Sequence, residues 1–172
     1  KFDVVPEQDN FDGRFPTVQS PNPENAEALR LAIELAEKHN ADLVIATDPD
    51  CDRMGVAVRD AAGEMRLLTG NQIGALISYY RAKTLFAQGV LTKENAARGV
   101  IIKTFVTTDL QKAIAEKFGL RLVETLTGFK YFGAKLLKYE RATPLPDGAD
   151  YRDLPEEETR KPRLEHSPFF TL

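Results

Sequence analysis

The sequence predicts an α/β protein made of two consecutive α/β units, with mixed, mainly parallel sheets flanked by helices. Three observations predict it. Residues 43–47, Leu-Val-Ile-Ala-Thr, form an apolar run that ends at an acidic loop, as a strand buried on both faces of a parallel sheet does. From Asn71 onward the patterns alternate helix, strand, helix, strand, helix, which implies a second unit with parallel strands. The chain of 172 residues is 42% apolar with no low-complexity tract, enough for a packed core.

In chain order, Phe2, Asp3, Val4 and Val5 read as a short strand. Residues 6–23 hold Pro6, Pro16, Pro21 and Pro23 and read as loop. A helix is expected over residues 23–39, with Asn22 as N-cap, Pro23 at the first helical position and acidic residues in the first turn. Ala26, Leu29, Ala32, Ile33 and Ala36 give it one apolar stripe, and Asn40 can end it. The strand at 42–47 and the acidic loop follow. Residues 54–58 and 65–68, separated by Asp60-Ala61-Ala62-Gly63, carry a hairpin signal.

The second unit is expected to start at Gly70, dividing the chain into residues 1–69 and 70–172. Asn71 can cap a helix with Ile73, Leu76, Ile77 and Tyr80 on one face, ending near Gly89. Residues 100–106 read as a strand. Thr107, Thr108 and Asp109 cap a helix with Leu110, Ala113, Ile114 and Phe118 inward, closed by Gly119. Residues 120–124 are another strand. A turn at residues 125–130 leads into a helix with Phe129, Phe132, Leu136 and Leu137 as its stripe. Residues 140–168 are rich in charge and proline and read as a solvated face or long loop, within which Pro155 can open a short helix reaching His166. His166 itself reads as solvated. Residues 169–172 look like the first part of a strand.

Charges of both signs are interspersed and sum to −3, which argues against a nucleic-acid or membrane partner. No run approaches a transmembrane length and no signal-peptide pattern stands at the start. The chain opens on Lys1 inside an apparent strand, so it is expected to be cut from a longer protein. Its single cysteine, Cys51, excludes an intrachain disulfide and a Cys-based zinc site. A reduced, cytoplasmic setting is expected. A thiol is a poor ligand for a hard cation, so the Cys51 side chain is expected to point away from the acidic loop's centre.

The loop Asp48-Pro49-Asp50-Cys51-Asp52-Arg53 carries the chemistry. It sets three carboxylates at i, i+2 and i+4, where ligands of open α/β sheets sit, outside a strand's carboxyl end. Three converging acids repel one another unless a cation neutralises them, and hard oxygen ligands suit Mg²⁺ or Ca²⁺. A plain acidic surface turn is the competing reading. An EF-hand loop also begins D-x-D-x-D, but it needs Gly sixth and Glu twelfth. Here those positions hold Arg53 and Arg59.

The chain resembles the α-D-phosphohexomutases, the phosphoglucomutase and phosphomannomutase family. The matching pieces are Pro21-Asn22-Pro23-Glu24, the run from Thr47 to Arg53, Lys103-Thr104 with Val106-Thr107-Thr108, and Thr127-Gly128-Phe129-Lys130. They occur in the family's order. The resemblance implies four domains around one cleft, of which this chain would be the later part of the second and most of the third. It implies that Asp48, Asp50 and Asp52 bind Mg²⁺, that Arg53 lies beside the transferring phosphate as a catalytic residue, and that Thr127, Gly128 and Lys130 belong to a loop near the sugar. It further implies transfer of a phosphoryl group between enzyme serine and the two ends of a glucose or mannose phosphate. The family's Ser-His-Asn-Pro-like run and its Gly-Glu-Glu-Ser sugar motif do not occur in this sequence. Turnover is therefore expected of the parent protein and not of this chain alone.

Two other readings compete. A haloacid-dehalogenase-type phosphatase also places D-x-D after a buried strand, with the first Asp as nucleophile; the third acid and Arg53 depart from that pattern. A non-catalytic metal-binding module is the other. Lys130 reads alternatively as a surface lysine, Arg53 as a partner of a loop Asp, and Thr107 and Thr108 as mere helix caps.

Overall fold

The computed structural model describes residues 2–145 and 154–171, without the side chains of residues 156, 157, 160 and 161. It is an α/β protein, and contacts divide it into two compact units, Lys1–Ile73 and Gly74–Leu172.

In the first unit, helix α1 (Arg30–Lys38) precedes strands β1 (Leu43–Thr47), β2 (Met54–Arg59) and β3 (Met65–Leu68). The sheet runs β1-β2-β3. Both pairings are antiparallel, with Ala46 opposite Gly55 and Val58 opposite Arg66. The β2–β3 hairpin is as expected, while the expectation that β1 lies in a parallel sheet is corrected. Six loop residues join β1 to β2, too few for the crossover that parallel strands require. β1 is not buried on both faces either: Val44 is buried while Leu43 and Ile45 are exposed. Its alternation was hidden because every residue but the last is apolar.

Residues 2–5 form no strand, and the described segment passes instead into a 3₁₀ turn at Pro6–Gln8. α1 starts seven residues later than expected. The Asn22 carboxamide accepts the Glu24 N–H at 3.0 Å, but residues 25–30 then make i→i−3 turns rather than helix. An Asn side chain that bonds two residues ahead favours a turn over a cap. The stripe holds: Leu29, Ala36, Val44 and Ala57 form the core, with Ala32 and Ile33 packed on it, while Ala26 is exposed.

Asn40 ends α1 as expected, with φ at 50°. The Ala41 N–H donates to Ala36 O at 2.8 Å and the Asn40 N–H to Glu37 O at 3.3 Å, the Schellman arrangement. Arg59 adds a second closure. Its guanidinium donates to Ala41 O at 3.0 Å, Ala36 O at 3.2 Å and Gly63 O at 2.6 Å. One side chain thus satisfies the helix end and the hairpin turn together. In that turn the Asp60 carboxylate accepts the Ala62 and Glu64 N–H groups and the Arg66 guanidinium.

In the second unit, α2 (Gly70–Ala87), β4 (Gly99–Thr104), α3 (Leu110–Lys117), β5 (Arg121–Thr125), α4 (Phe129–Arg141), α5 (Glu156–His166) and β6 (Phe170–Thr171) follow in order, α2 beginning just before the unit's first residue. The sheet runs β5-β4-β6 and is parallel throughout. Its core holds Ala75, Ala82, Leu85, Leu91, Ile101, Ile114, Ala115, Leu120 and Phe170.

The inward face of α2 differs from expectation. Ile73 is buried as expected, but Leu76, Ile77 and Tyr80 are exposed, whereas Ala75, Ala82 and Leu85 are buried. The helix is apolar nearly all round, so periodicity could not choose a face, and small alanines allow the closer approach. Its start is a capping box at Thr69 rather than Asn71: Thr69 N–H donates to the Gln72 side-chain oxygen, and Gln72 N–H donates to the Thr69 hydroxyl. In α3, Ile114 and Ala115 point inward, while Leu110 and Ala113 are exposed. The expected side-chain cap is corrected: Asp109 is the N-cap without a side-chain cap hydrogen bond, and the Thr108 hydroxyl accepts the Leu110 N–H at 3.2 Å in a turn that leads into the helix. No residue of α4 is buried, and Phe129, Leu136 and Leu137 are exposed.

Residues 156–166 form the short helix expected to open at Pro155 and reach His166. Arg98 donates to the carbonyls of Ser167 and Leu164, holding that helix's end. His166 is exposed, as expected. Part of the charged segment, residues 146–153, lies outside the described residues.

Candidate metal centre and sugar loop

The acidic loop begins where β1 ends. Its shape follows from two hydrogen bonds and one unusual backbone angle. Asp48 Oδ1 accepts the Arg53 N–H at 3.0 Å, and Asp48 O accepts the Cys51 N–H at 3.0 Å. Cys51 sits at φ 59°, a left-handed turn rare for a residue with a side chain. Thr47 Oγ1 lies 3.5 Å from Cys51 Sγ. The turn folds the loop back on itself.

The result is convergence: Asp48, Asp50 and Asp52 each bring a carboxylate oxygen within 4.8 Å of the others. Like charges at that separation disfavour full ionisation, and the loop answers unequally. Burial works to raise the Asp48 carboxyl, but the Arg53 amide and hydrogen bonding with Asp52 outweigh it, leaving Asp48 below the ordinary carboxylate range. Asp52 is raised by its hydrogen bond with Asp48, by burial, and by the charges of Asp50 and Asp48. The donor set fits a hard divalent cation: three carboxylates, all oxygen, at the spacing of a shared coordination sphere.

Arg53 is the cation already at hand. Its Nε stands 3.9 Å from Asp48 and 3.8 Å from Asp52, and its side chain is more than half exposed. That is too long for a tight pair, so the guanidinium is only partly engaged by the loop.

In the second unit, β5 ends at Thr125 and α4 begins at Phe129. Gly128 is the N-cap, at φ 125° and ψ 137°, and no side chain caps the helix. As N-cap, Gly128 offers only its carbonyl, which accepts the Tyr131 N–H at 3.1 Å. The first-turn amides thus have no side chain over them, the condition under which a helix start receives anions. Lys130 lies on the first turn of α4, with Nζ 5.0 Å from the Tyr131 ring centre.

One residue of this region was not singled out from sequence. Lys103 of β4 is buried, and its ammonium lies 2.8 Å from Glu124 and 3.4 Å from Asp109. The Glu124 hydrogen bond raises its proton affinity above the ordinary lysine value although burial works the other way. The signal was present: a charged residue directly after the apolar run Val100-Ile101-Ile102, within the strand.

Comparison with known proteins agrees with this architecture. Residues 1–63 match the family description "phosphoglucomutase/phosphomannomutase, alpha/beta/alpha domain II", and residues 69–143 match domain III of the same family. The chain belongs to the phosphoglucomutase/phosphomannomutase family. Among similar curated proteins, a phosphoribomutase of Saccharomyces cerevisiae is 43% identical over 140 residues, covering 80% of this chain and 22% of that protein. A probable phosphomannomutase of Haemophilus influenzae is 42% identical over 130 residues, 76% of this chain and 25% of that one. A phosphoglucomutase of Staphylococcus aureus is 39% identical over 136 residues, 79% of this chain and 23% of that one. The chain therefore spans about a quarter of the length of the curated relatives it matches. A family structure from Burkholderia thailandensis superposes with a TM-score of 0.56 at 21% identity, covering 75% of this chain and 25% of that one. That likeness supports the fold. Family membership sets aside the phosphatase alternative. Among the described residues, no helix is long and apolar enough to cross a membrane.

Proposed function

We propose that the full-length parent of this chain is a phosphohexomutase that moves a phosphoryl group between the 1 and 6 positions of glucose or mannose phosphate, through an enzyme phosphoserine and Mg²⁺. Residues 1–69 would be the later part of its domain II and residues 70–172 the larger part of its domain III. The carrying observation is the convergence of Asp48, Asp50 and Asp52 within 4.8 Å beside Arg53. The relatives' names, all phosphosugar mutases, support the reaction class.

Asp48, Asp50 and Asp52 would hold the metal. When bound, Mg²⁺ offsets the charge on the phosphorylated serine and eases departure of its oxygen. The chain's own residues do the rest by placement. Asp48, kept ionised by the Arg53 amide, presents a fixed anionic ligand. The Arg53 guanidinium, loosely held by two carboxylates, is free to turn to a phosphate oxygen and pair with it in bidentate fashion. Gly128 removes the side chain that would keep a sugar from the α4 backbone. The first-turn amides and the Lys130 ammonium then offer hydrogen bonds and positive charge to hydroxyl and phosphate oxygens. Thr127 adds a hydroxyl at the same edge.

The test is a coupled assay of the full-length protein with glucose 1-phosphate and mannose 1-phosphate. Activity lost on chelation, restored by Mg²⁺ and abolished by Asp50→Asn supports the reading. A protein that interconverts neither sugar phosphate overturns it.

A further inference from the structure

Lys103 has no part in the chemistry above, yet it is the most completely enclosed charge of the second unit's described loops and strands. Its side chain is 1% exposed, whereas those of its partners Glu124 and Asp109 are 52% and 87% exposed. An ammonium carries three protons, and three acceptors meet it: Glu124 Oε1 at 2.8 Å, Thr107 O at 2.9 Å and Asp109 Oδ1 at 3.4 Å. Burying a charge in this way gives a fold little stability that a well-packed apolar residue would not supply. It does give direction, because the acceptors come from two segments, the 105–109 loop and β5.

The acceptors lie where direction matters. Lys103 and Glu124 are register partners, one step before the last pair of the β4–β5 ladder. Beyond that ladder the chain leaves the sheet's carboxyl end in two loops, residues 105–109 into α3 and residues 126–128 into α4. The Phe105 N–H donates to Thr125 O at 3.0 Å, and the Thr125 hydroxyl donates to Lys103 O at 3.4 Å. The Thr107 hydroxyl donates to Thr104 O at 2.8 Å. The bases of both loops are laced together around this one side chain.

We propose that Lys103 is a positioning residue: its ammonium clamps the 105–109 loop to β5 and so fixes where Thr127, Gly128 and Lys130 stand. The inference rests on the reading of residues 127–130 as the sugar-phosphate loop. Lys103 touches no substrate; it acts through Glu124 and the Thr125 backbone.

The test uses the full-length enzyme with Lys103→Met, which keeps the stem and removes the charge. Hydrogen exchange followed by mass spectrometry should show amides of residues 105–109 and 126–131 exchanging about tenfold faster, the factor expected on losing a charge-assisted hydrogen bond. Amides inside β4 and β5 should keep their wild-type rates. KM for the hexose phosphate should rise by more than kcat falls. If the Met variant does not fold, Glu124→Gln at the half-exposed end of the pair is read by the same measurements. Unchanged exchange in both loops, or an unchanged KM, overturns the inference. Lys130→Ala, measured alongside, separates the two ideas. KM unaltered by Lys130→Ala refutes the sugar-loop reading. KM raised by Lys130→Ala and unaltered by Lys103→Met refutes the clamp alone.

Discussion

Gly55 of β2 lies directly beneath the backbone of Pro23: a Cβ on Gly55 would sit 2.0 Å from Pro23 O and 2.8 Å from its carbonyl carbon. No rotation relieves such a contact, because the obstacle is backbone. Pro23 is itself buried, so neither partner can withdraw freely. Gly55 pairs with Ala46, one residue before the end of β1, so the contact lies close under the acidic loop.

Gly55→Ala should therefore destabilise the first unit by about 1–3 kcal/mol or more, the usual cost of overpacking against something that cannot yield. Gly63→Ala in the hairpin turn is the comparison, since its Cβ would meet nothing but its φ of 90° is strained. Urea unfolding monitored by circular dichroism checks both. A Gly55→Ala midpoint equal to wild type would contradict the contact.

Metal binding by the 172-residue chain alone should be weak. Mg²⁺ gives up its waters reluctantly and favours sites completed by phosphate, and the three carboxylates supply only part of a shell. Isothermal calorimetry should show affinity no tighter than micromolar, reduced further by Asp50→Asn. Sub-micromolar binding, or indifference to Asp50→Asn, would count against Asp48, Asp50 and Asp52 as the ligand set. Under the proposed reaction, the chain alone should also show no turnover of glucose 1-phosphate, because no Ser-His-Asn-Pro-like run occurs in its sequence.

In the full-length enzyme, Lys130→Ala should lower kcat/KM by about ten- to a hundredfold, the range for losing a hydrogen bond to a charged group. The fold should be little changed, since Lys130 is exposed on the first turn of α4. Steady-state kinetics decide it, and a wild-type value would make Lys130 an ordinary surface lysine.

The hairpin turn has an acid-side limit. Asp60 is held below its ordinary value of 3.8, first by the Arg66 hydrogen bond and then by the Glu64 amide, with the Ala62 amide adding to them and burial opposing. A carboxyl with a depressed folded value contributes stability that is fully present above the unfolded value and is lost as pH falls through the folded one. The melting temperature should accordingly fall as pH drops through and below the ordinary value of 3.8, and Asp60→Asn should flatten that limb. An unchanged acid limb in the variant would show that Asp60 does not contribute to it.

Sequence made some of this legible for definite reasons. The strand before Asp48, the turn at Asp60 and Gly63, and the helix end at Asn40 each carry a local signal: an apolar run, a turn former, a left-handed residue. The three acids of one loop had to be near one another, whatever the fold did. Non-local outcomes were not legible. The direction of β2 beside β1 depends on the short connection more than on the apolarity of either strand. The inward face of α2 was ambiguous because Leu76, Ile77 and Tyr80 are as apolar as the alanines that were buried. The Thr69–Gln72 capping box was written in the sequence but lay two residues from the Asn71 that drew the assignment. Lys103 was visible only as a quoted piece of a motif; its enclosure depends on Glu124, 21 residues away along the chain.

Cys51 stands exposed at the turn of the acidic loop, between two of its carboxylates, and is the chain's one thiol. A maleimide dye would attach at that position and nowhere else. The loop thus comes with its own attachment point for an optical reporter, and if Asp48, Asp50 and Asp52 hold a metal as proposed, emission from a dye there would follow cation occupancy in real time, without any engineered residue.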